Sequence, residues 1–114
     1  MTDVGLINDA EYAAMYVRSR RATRGLAPRV LAQELRQKGI ADDLIADSLQ
    51  DITHDDDREL ARSLVVKKLS STAGLDPQAR SRRLASMLIR KGFGQGLAFD
   101  VVREALKDEE LFEG

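Results

Sequence analysis

A chain of 114 residues holds one ordinary domain's worth of core but not a core plus a large, deep active site. It has no cysteine, which removes disulfides and thiolate zinc sites and fits a reducing compartment, and no apolar run of signal-peptide or membrane-spanning length, so a soluble cytoplasmic protein is expected. With 18 basic against 19 acidic residues, net charge alone argues against a nucleic-acid ligand, but the distribution of that charge along the chain argues the other way.

The first predicted helix starts near Asn8, where the run N-D-A-E reads as a capping box: the Asn8 side chain accepts a backbone N–H and Glu11 reaches back. It should run to about Thr23 and be ended by Gly25. Tyr12, Met15 and Tyr16, spaced i, i+3, i+4, are its expected buried stripe, and the opposite side carries Arg18, Arg20, Arg21 and Arg24. Pro28 suits the first turn of a second helix, where its missing N–H has no intrahelical partner. Leu31 and Leu35 face inward with Val30, while Arg29, Gln33 and Arg36 share the far side. Gly39 stops this helix at a position that favours left-handed backbone, and Lys38 before it suits the negative end of the dipole. A third helix follows Ile40, with Leu44, Ile45, Leu49 and Ile52 as its core residues.

The remainder repeats this plan. LAQELRQKG at 31–39 returns as LASMLIRKG at 84–92, both fitting L-A-x-x-L-x-x-K-G. At an offset of 53, Arg29, Leu31, Ala32, Leu35, Lys38, Gly39, Leu44 and Asp47 match Arg82, Leu84, Ala85, Leu88, Lys91, Gly92, Leu97 and Asp100; at an offset of 48, Asp9, Glu11, Ala13 and Val17 match Asp57, Glu59, Ala61 and Val65. The change of offset falls in SSTAGLDPQ, a loop by its Gly and Pro. Pro77 and Gly92 bound the second unit's middle helix, and Leu97, Val101, Val102 and Leu106 are the core of its last one. No segment has strand character. The expected fold is all-α: tandem three-helix repeats over residues 1–54 and 55–114, six helices in all, packed through their apolar faces into an elongated body that a small rotation between units would curve.

Charge alternates in phase with the repeat. Residues 18–38 hold seven Lys or Arg against Glu34 alone, and 42–57 hold seven Asp with no Lys or Arg. Residues 58–91 then carry nine basic residues against Glu59 and Asp76, and 94–114 turn acidic again. Such sorting places opposite charge on separate surfaces. Catalytic and metal chemistry find little support: His54, the only histidine, is expected as a solvated residue of an acidic linker, ITHDDD, between the units with no nucleophile nearby, and Asp55, Asp56 and Asp57 lack the ordered oxygen spacing of a calcium loop. GFGQG at 92–96 is a helix–helix turn, not a phosphate loop. Tyr12 and Tyr16 could stack on bases but share the apolar stripe, so a core role is expected. The candidate site is basic: Arg18, Arg20, Arg21, Arg24, Arg29, Arg36, Lys67, Lys68, Arg82, Arg83, Arg90 and Lys91, with Arg80 in the same clusters. The plain alternative is a solvated face covering apolar surface. Recurrence in phase and richness in Arg, which suits phosphate and carboxylate forks, favour an anionic partner.

GLINDAEYAAMYVRSR followed by ELRQKGIADDLIADSL resembles the RecX family of regulatory proteins, which act on the bacterial RecA recombinase. The residues that carry the resemblance are G-L-I-x-D-x-x-[FY]-A-x-x-Y-V-x-x-R at Gly5 to Arg20 and L-x-x-K-G-[IVF] at Leu35 to Ile40, and it continues through LASMLIRKGF. It implies a cofactor-free, non-enzymatic, all-helical monomer. Such a protein lies in the groove of a RecA filament on single-stranded DNA and restrains ATP hydrolysis and strand exchange. Family members commonly have three units, and this chain starts at the motif of the middle one, so the resemblance implies a form without the first. Ala41 and Gly94 depart from the hydroxyl cap that would best start the third helices, and Ile89 stands where the first unit has Arg36. Two other readings compete: an independent helix-turn-helix DNA-binding protein, and a protein-interaction scaffold whose arginines are dispensable.

Overall fold

Asn8 opens the first helix as its sequence requires: in the computed structural model, which describes residues 8–113, its side-chain oxygen accepts from the backbone N–H of Ala10 at 2.8 Å and of Glu11 at 3.4 Å. Gly5, Leu6 and Ile7 of the family motif lie outside the described residues. The helix, α1 (Asp9–Arg24), ends at Gly25, whose φ of 64° and N–H to the Arg21 carbonyl form a left-handed cap. Its buried positions are Ala13 and Val17, with Tyr12 and Tyr16 partly buried beside them. Met15 does not belong to that stripe and is 59% exposed. The buried face is centred on Ala13 and Val17 at i, i+4, and a residue two positions past Ala13 points about 200° away from it.

Ala27 is extended and Pro28 takes the first position of α2 (Pro28–Gln37), whose Leu31 and Leu35 are fully buried. Its end is a Schellman motif. The N–H of Ile40 donates to the Leu35 carbonyl at 3.1 Å, the N–H of Gly39 donates to the Arg36 carbonyl at 3.0 Å, and Gly39 has φ 88°. The second unit repeats it residue for residue, with Phe93 to Leu88 at 3.1 Å, Gly92 to Ile89 at 2.9 Å and Gly92 at φ 101°. Nothing lies within 4 Å of where a Cβ on Gly39 would sit, so its conformation alone resists substitution. Gly39→Ala is therefore expected to cost about 1 kcal/mol, and Gly39→Asn less, in urea denaturation.

The last helix of the first unit, α3 (Asp42–Leu49), buries Ile45 and packs across α1, with Leu44, Leu49 and Ile52 against the same cluster. The chain divides into two compact units between Thr53 and His54. In the second unit, α4 (His54–Lys68) begins at His54 itself, so Asp55, Asp56 and Asp57 form its first turn rather than a linker, at the end of the dipole that favours them. After a 3-10 turn at Ser70–Thr72, Asp76 caps α5 (Pro77–Arg90) by accepting from Gln78 and Ala79 N–H groups. Its core joins Leu84, Ala85 and Leu88 to Phe93, Ala98, Val101, Val102 and Ala105.

Six α-helices and no strand are found among the described residues, in two three-helix repeats. The two units differ in one element. The final helix α6 (Gln95–Glu113) has 19 residues where α3 has 8. The acidic stretch 108–113, whose charge alone predicts solvent exposure, is helical, and Asp108 and Glu109 are only partly exposed because arginines hold them.

Candidate nucleic-acid interface

The arginines of this chain are alike in sequence and fall into two groups in space. One group is paired within its own unit. Arg80 on α5 has a side chain only 12% exposed; it forks onto both Glu109 oxygens at 2.8 and 2.9 Å, donates to the Leu69 carbonyl at 2.8 Å and donates from Nε to Thr72 Oγ1 at 3.1 Å. It is therefore a structural tie and not part of a basic surface. Arg58 and Arg62 of α4 pair with Glu104 and Asp108 of α6, and Arg103 pairs with Asp100 one turn away. In the first unit, Arg36 is held by Asp42 at 3.3 Å.

Arg20 and Lys38 lie against the Tyr16 ring, 5.0 and 5.5 Å from its centroid. The Tyr16 hydroxyl donates to Glu34 Oε1 at 2.6 Å, and burial first, then that carboxylate, raises its pKa, so it stays protonated at neutral pH. Tyr12 sits beside it at 6.0 Å between centroids. The pair thus packs on the core edge, as the apolar stripe implied, and the cations against Tyr16 already use its π surface. Arg21 donates to the Leu26 carbonyl at 3.2 Å, tying the end of α1 to the following turn.

The second group faces solvent. Arg18 and Arg29 in the first unit, and Lys67, Lys68, Arg82, Arg83 and Arg90 in the second, are all exposed and take part in no ion pair among the described residues. Arg24 is exposed too, and Lys91 is half-buried at the end of α5. On α5 the exposed positions Gln78, Arg82, Ser86 and Arg90 follow one another at four-residue steps, a polar and basic stripe opposite the buried Leu84 and Leu88, with Arg83 beside it. The corresponding stripe of α2 carries Arg29, Gln33 and Gln37, with Arg36 beside it on Asp42. An open groove lined by Pro77, Gln78, Ser81 and Arg82 lies at the start of the α5 stripe. A guanidinium is a planar fork of donors whose geometry matches phosphate and carboxylate oxygens.

Other chemistry is thinly represented. Among the described residues no cluster of three or more His, Cys, Asp or Glu is arranged to hold a metal, and no helix is long and apolar enough to cross a membrane. His54 is exposed on the first residue of α4.

Comparison with known proteins agrees with this architecture. Residues 8–49 match the family model described as RecX, second three-helix domain, and residues 55–106 match RecX, third three-helix domain. The chain is 50% identical to the regulatory protein RecX of Streptomyces coelicolor over 107 residues, covering 94% of this chain and 57% of that protein. It is 42% identical to the regulatory protein RecX of Amycolatopsis mediterranei, covering 91% and 59%. The crystal structure of RecX from Lactobacillus salivarius superposes with a TM-score of 0.76 at 28% identity, covering 88% of this chain and 65% of that one. A second crystal structure, of a regulatory protein RecX, gives 0.75 at 32% identity, covering 88% and 49%. The chain spans less than two thirds of the length of these curated relatives.

Proposed function

We propose, from the premise that this chain belongs to the RecX family, that it is a non-enzymatic regulator that binds the RecA filament on single-stranded DNA, in its groove, and restrains ATP hydrolysis and strand exchange. The observation that carries the reading is the second group of cations. Arg18, Arg29, Lys67, Lys68, Arg82, Arg83 and Arg90 are exposed and take part in no ion pair among the described residues, and they recur on the middle helix of both units, Arg29 and Arg82 occupying the same repeat position. A repeated surface of this kind suits a partner whose own features repeat, because modest contacts linked in one chain add up to avidity. The family relatives are named regulatory proteins, which accords with a binding role.

The helix-turn-helix alternative fares worse on charge. In that mode the last helix of the motif enters the DNA groove by its first turns. Here that helix in the first unit is α3, and it presents Asp42, Asp43 and Asp47, all exposed, where phosphates would repel them.

The test is the DNA-dependent ATPase of RecA titrated with this protein. The expected outcome is a graded loss of ATP hydrolysis, together with binding to RecA-coated single-stranded DNA that is tighter than to RecA or DNA alone. Absence of both, with the chain shown to be folded by its helical circular dichroism, would remove the proposal.

A further inference from the structure

The two units differ by a matched pair of features. On α4, Arg58 and Arg62 sit one turn apart and face α6, whose Asp100, Glu104 and Asp108 run at four-residue intervals. Arg58 pairs with Glu104 and lies 4.0 Å from Asp100; Arg62 pairs with Asp108 and lies 3.7 Å from Glu104. At the equivalent positions of α1 the first unit has Ala10 and Ala14, and α3 stops at Leu49 instead of running on. The two arginines and the long acidic helix are present together in one unit and missing together from the other. Packing does not require them, since α1 and α3 associate without any such ladder.

We propose that Arg58 and Arg62 form a second anion-binding site, kept shut by the carboxylates of α6 and opened when a nucleic-acid single strand supplies phosphates in their place. This rests on the reading above that the chain binds the RecA filament on single-stranded DNA, and adds that the chain itself contacts the strand. The three carboxylates are spaced about 6 Å apart along α6, close to the repeat of phosphates on an extended strand, so the ladder is an internal stand-in for a nucleic-acid backbone. Exchange is feasible because the ladder lies at the surface: the side chains of Arg58, Arg62, Asp108 and Glu104 are 31%, 40%, 42% and 51% exposed, in contrast to Arg80 at 12%. Half-exposed ion pairs are weak and screened by salt, whereas an Arg fork onto phosphate gains from bidentate geometry and from release of counterions. The Arg80 tie to Glu109 holds the rest of α6 in place while the ladder exchanges. The site is thus a reserve of affinity that responds to the local density of phosphate.

The experiment measures binding of a labelled oligothymidylate by fluorescence anisotropy across a salt series. The unsubstituted chain should bind through its open cations. Glu104→Gln with Asp108→Asn should bind about fivefold more tightly at low salt, with a log–log salt slope steeper by about 0.7 for each phosphate newly engaged. Arg58→Ala with Arg62→Ala alone should weaken the parent by about twofold, because a strand gains those two contacts only against the competing carboxylates, and the same pair added to the neutralised ladder should abolish the whole gain. Asp43→Asn with Asp47→Asn on α3, which changes net charge equally, controls for overall charge. The proposal is overturned if that control gains as much, if the gain survives loss of both arginines, or if the arginine pair leaves the parent's affinity unchanged. No binding of the bare oligothymidylate by any form, or binding by the parent with no gain in the ladder variant, overturns this proposal alone, whereas the functional reading fails only in the RecA ATPase and filament-binding test. If the double variant does not fold, Glu104→Gln and Asp108→Asn singly carry the same comparison, each expected to give part of the gain and neither to gain once the arginines are alanine.

Discussion

Replacing Arg82, Arg83 and Arg90 together by alanine is expected to weaken binding to RecA-coated single-stranded DNA by about tenfold or more near physiological salt, and to lower the salt slope by about 2, roughly 0.7 for each of three lost phosphate contacts. Folding should be nearly untouched, within about 0.5 kcal/mol, because all three side chains are exposed and take part in no ion pair among the described residues. The informative comparison removes the same charge elsewhere: Arg58, Arg62 and Arg103 to alanine, whose guanidiniums already rest on α6 carboxylates. If net charge alone governed binding, the two triple variants would lose equally. If the open stripe of α5 governs it, the first loses at least five times as much as the second, an inequality that one anisotropy series can read.

That contrast also shows where the sequence stops being legible. The helices, their caps and most of their core can be read directly. Asn8, Gly25, Gly39 and Gly92 act locally, through hydrogen bonds and backbone conformations that lie within a few residues of themselves. Leu31, Leu35, Leu84 and Leu88 carry the core period in plain view. Met15 misleads because Tyr12 and Tyr16 draw the stripe toward it, while the true centre is the small Ala13, whose burial reflects close helix approach rather than hydrophobic bulk. The open cations of the candidate site were visible as charge in phase with the repeat, but which cations are open was not. Arg80 and Arg82 are two residues apart and chemically identical, yet one is locked onto Glu109 and the other faces solvent, because a carboxylate 29 residues away is brought over the first and not the second. A partial signal existed: Arg58 and Arg62 at i, i+4 against Asp100, Glu104 and Asp108 at the same interval, with alanines at both arginine positions in the other unit. Two stripes of opposite sign and equal period on helices that pack together are a register, and a register is readable once the repeat is aligned.

Arg80→Ala is expected to be the most destabilising single substitution on the chain's polar surface, costing about 3 kcal/mol and lowering the melting temperature by more than about 10 °C. The reason is the number of elements one guanidinium joins. Its hydrogen bonds reach the carbonyl that ends α4, the hydroxyl of buried Thr72 in the following turn, and the Glu109 carboxylate on α6, so truncation strands an acceptor on each. The first unit has Ala27 at this repeat position and a last helix too short to need the tie. Arg80→Lys should recover only part of the loss, because an ammonium keeps the charge without the fork. Acid supplies a second, independent readout. The hydrogen bonds from Arg80 hold the Glu109 carboxyl below its ordinary pKa, so the folded state favours the ionised form. Their stabilisation is complete above the unfolded value, about 4.3 for Glu, and is lost as pH falls through the lower folded value. The stability gap between the parent and Arg80→Ala should therefore be constant near neutrality and narrow under acid. A gap that stayed the same width through that range would mean that Arg80 acts by packing alone. Hydrogen exchange then locates the effect: protection should fall first at 69–80 and 104–111, the segments the guanidinium joins, and only afterwards in the Leu84–Leu88 core.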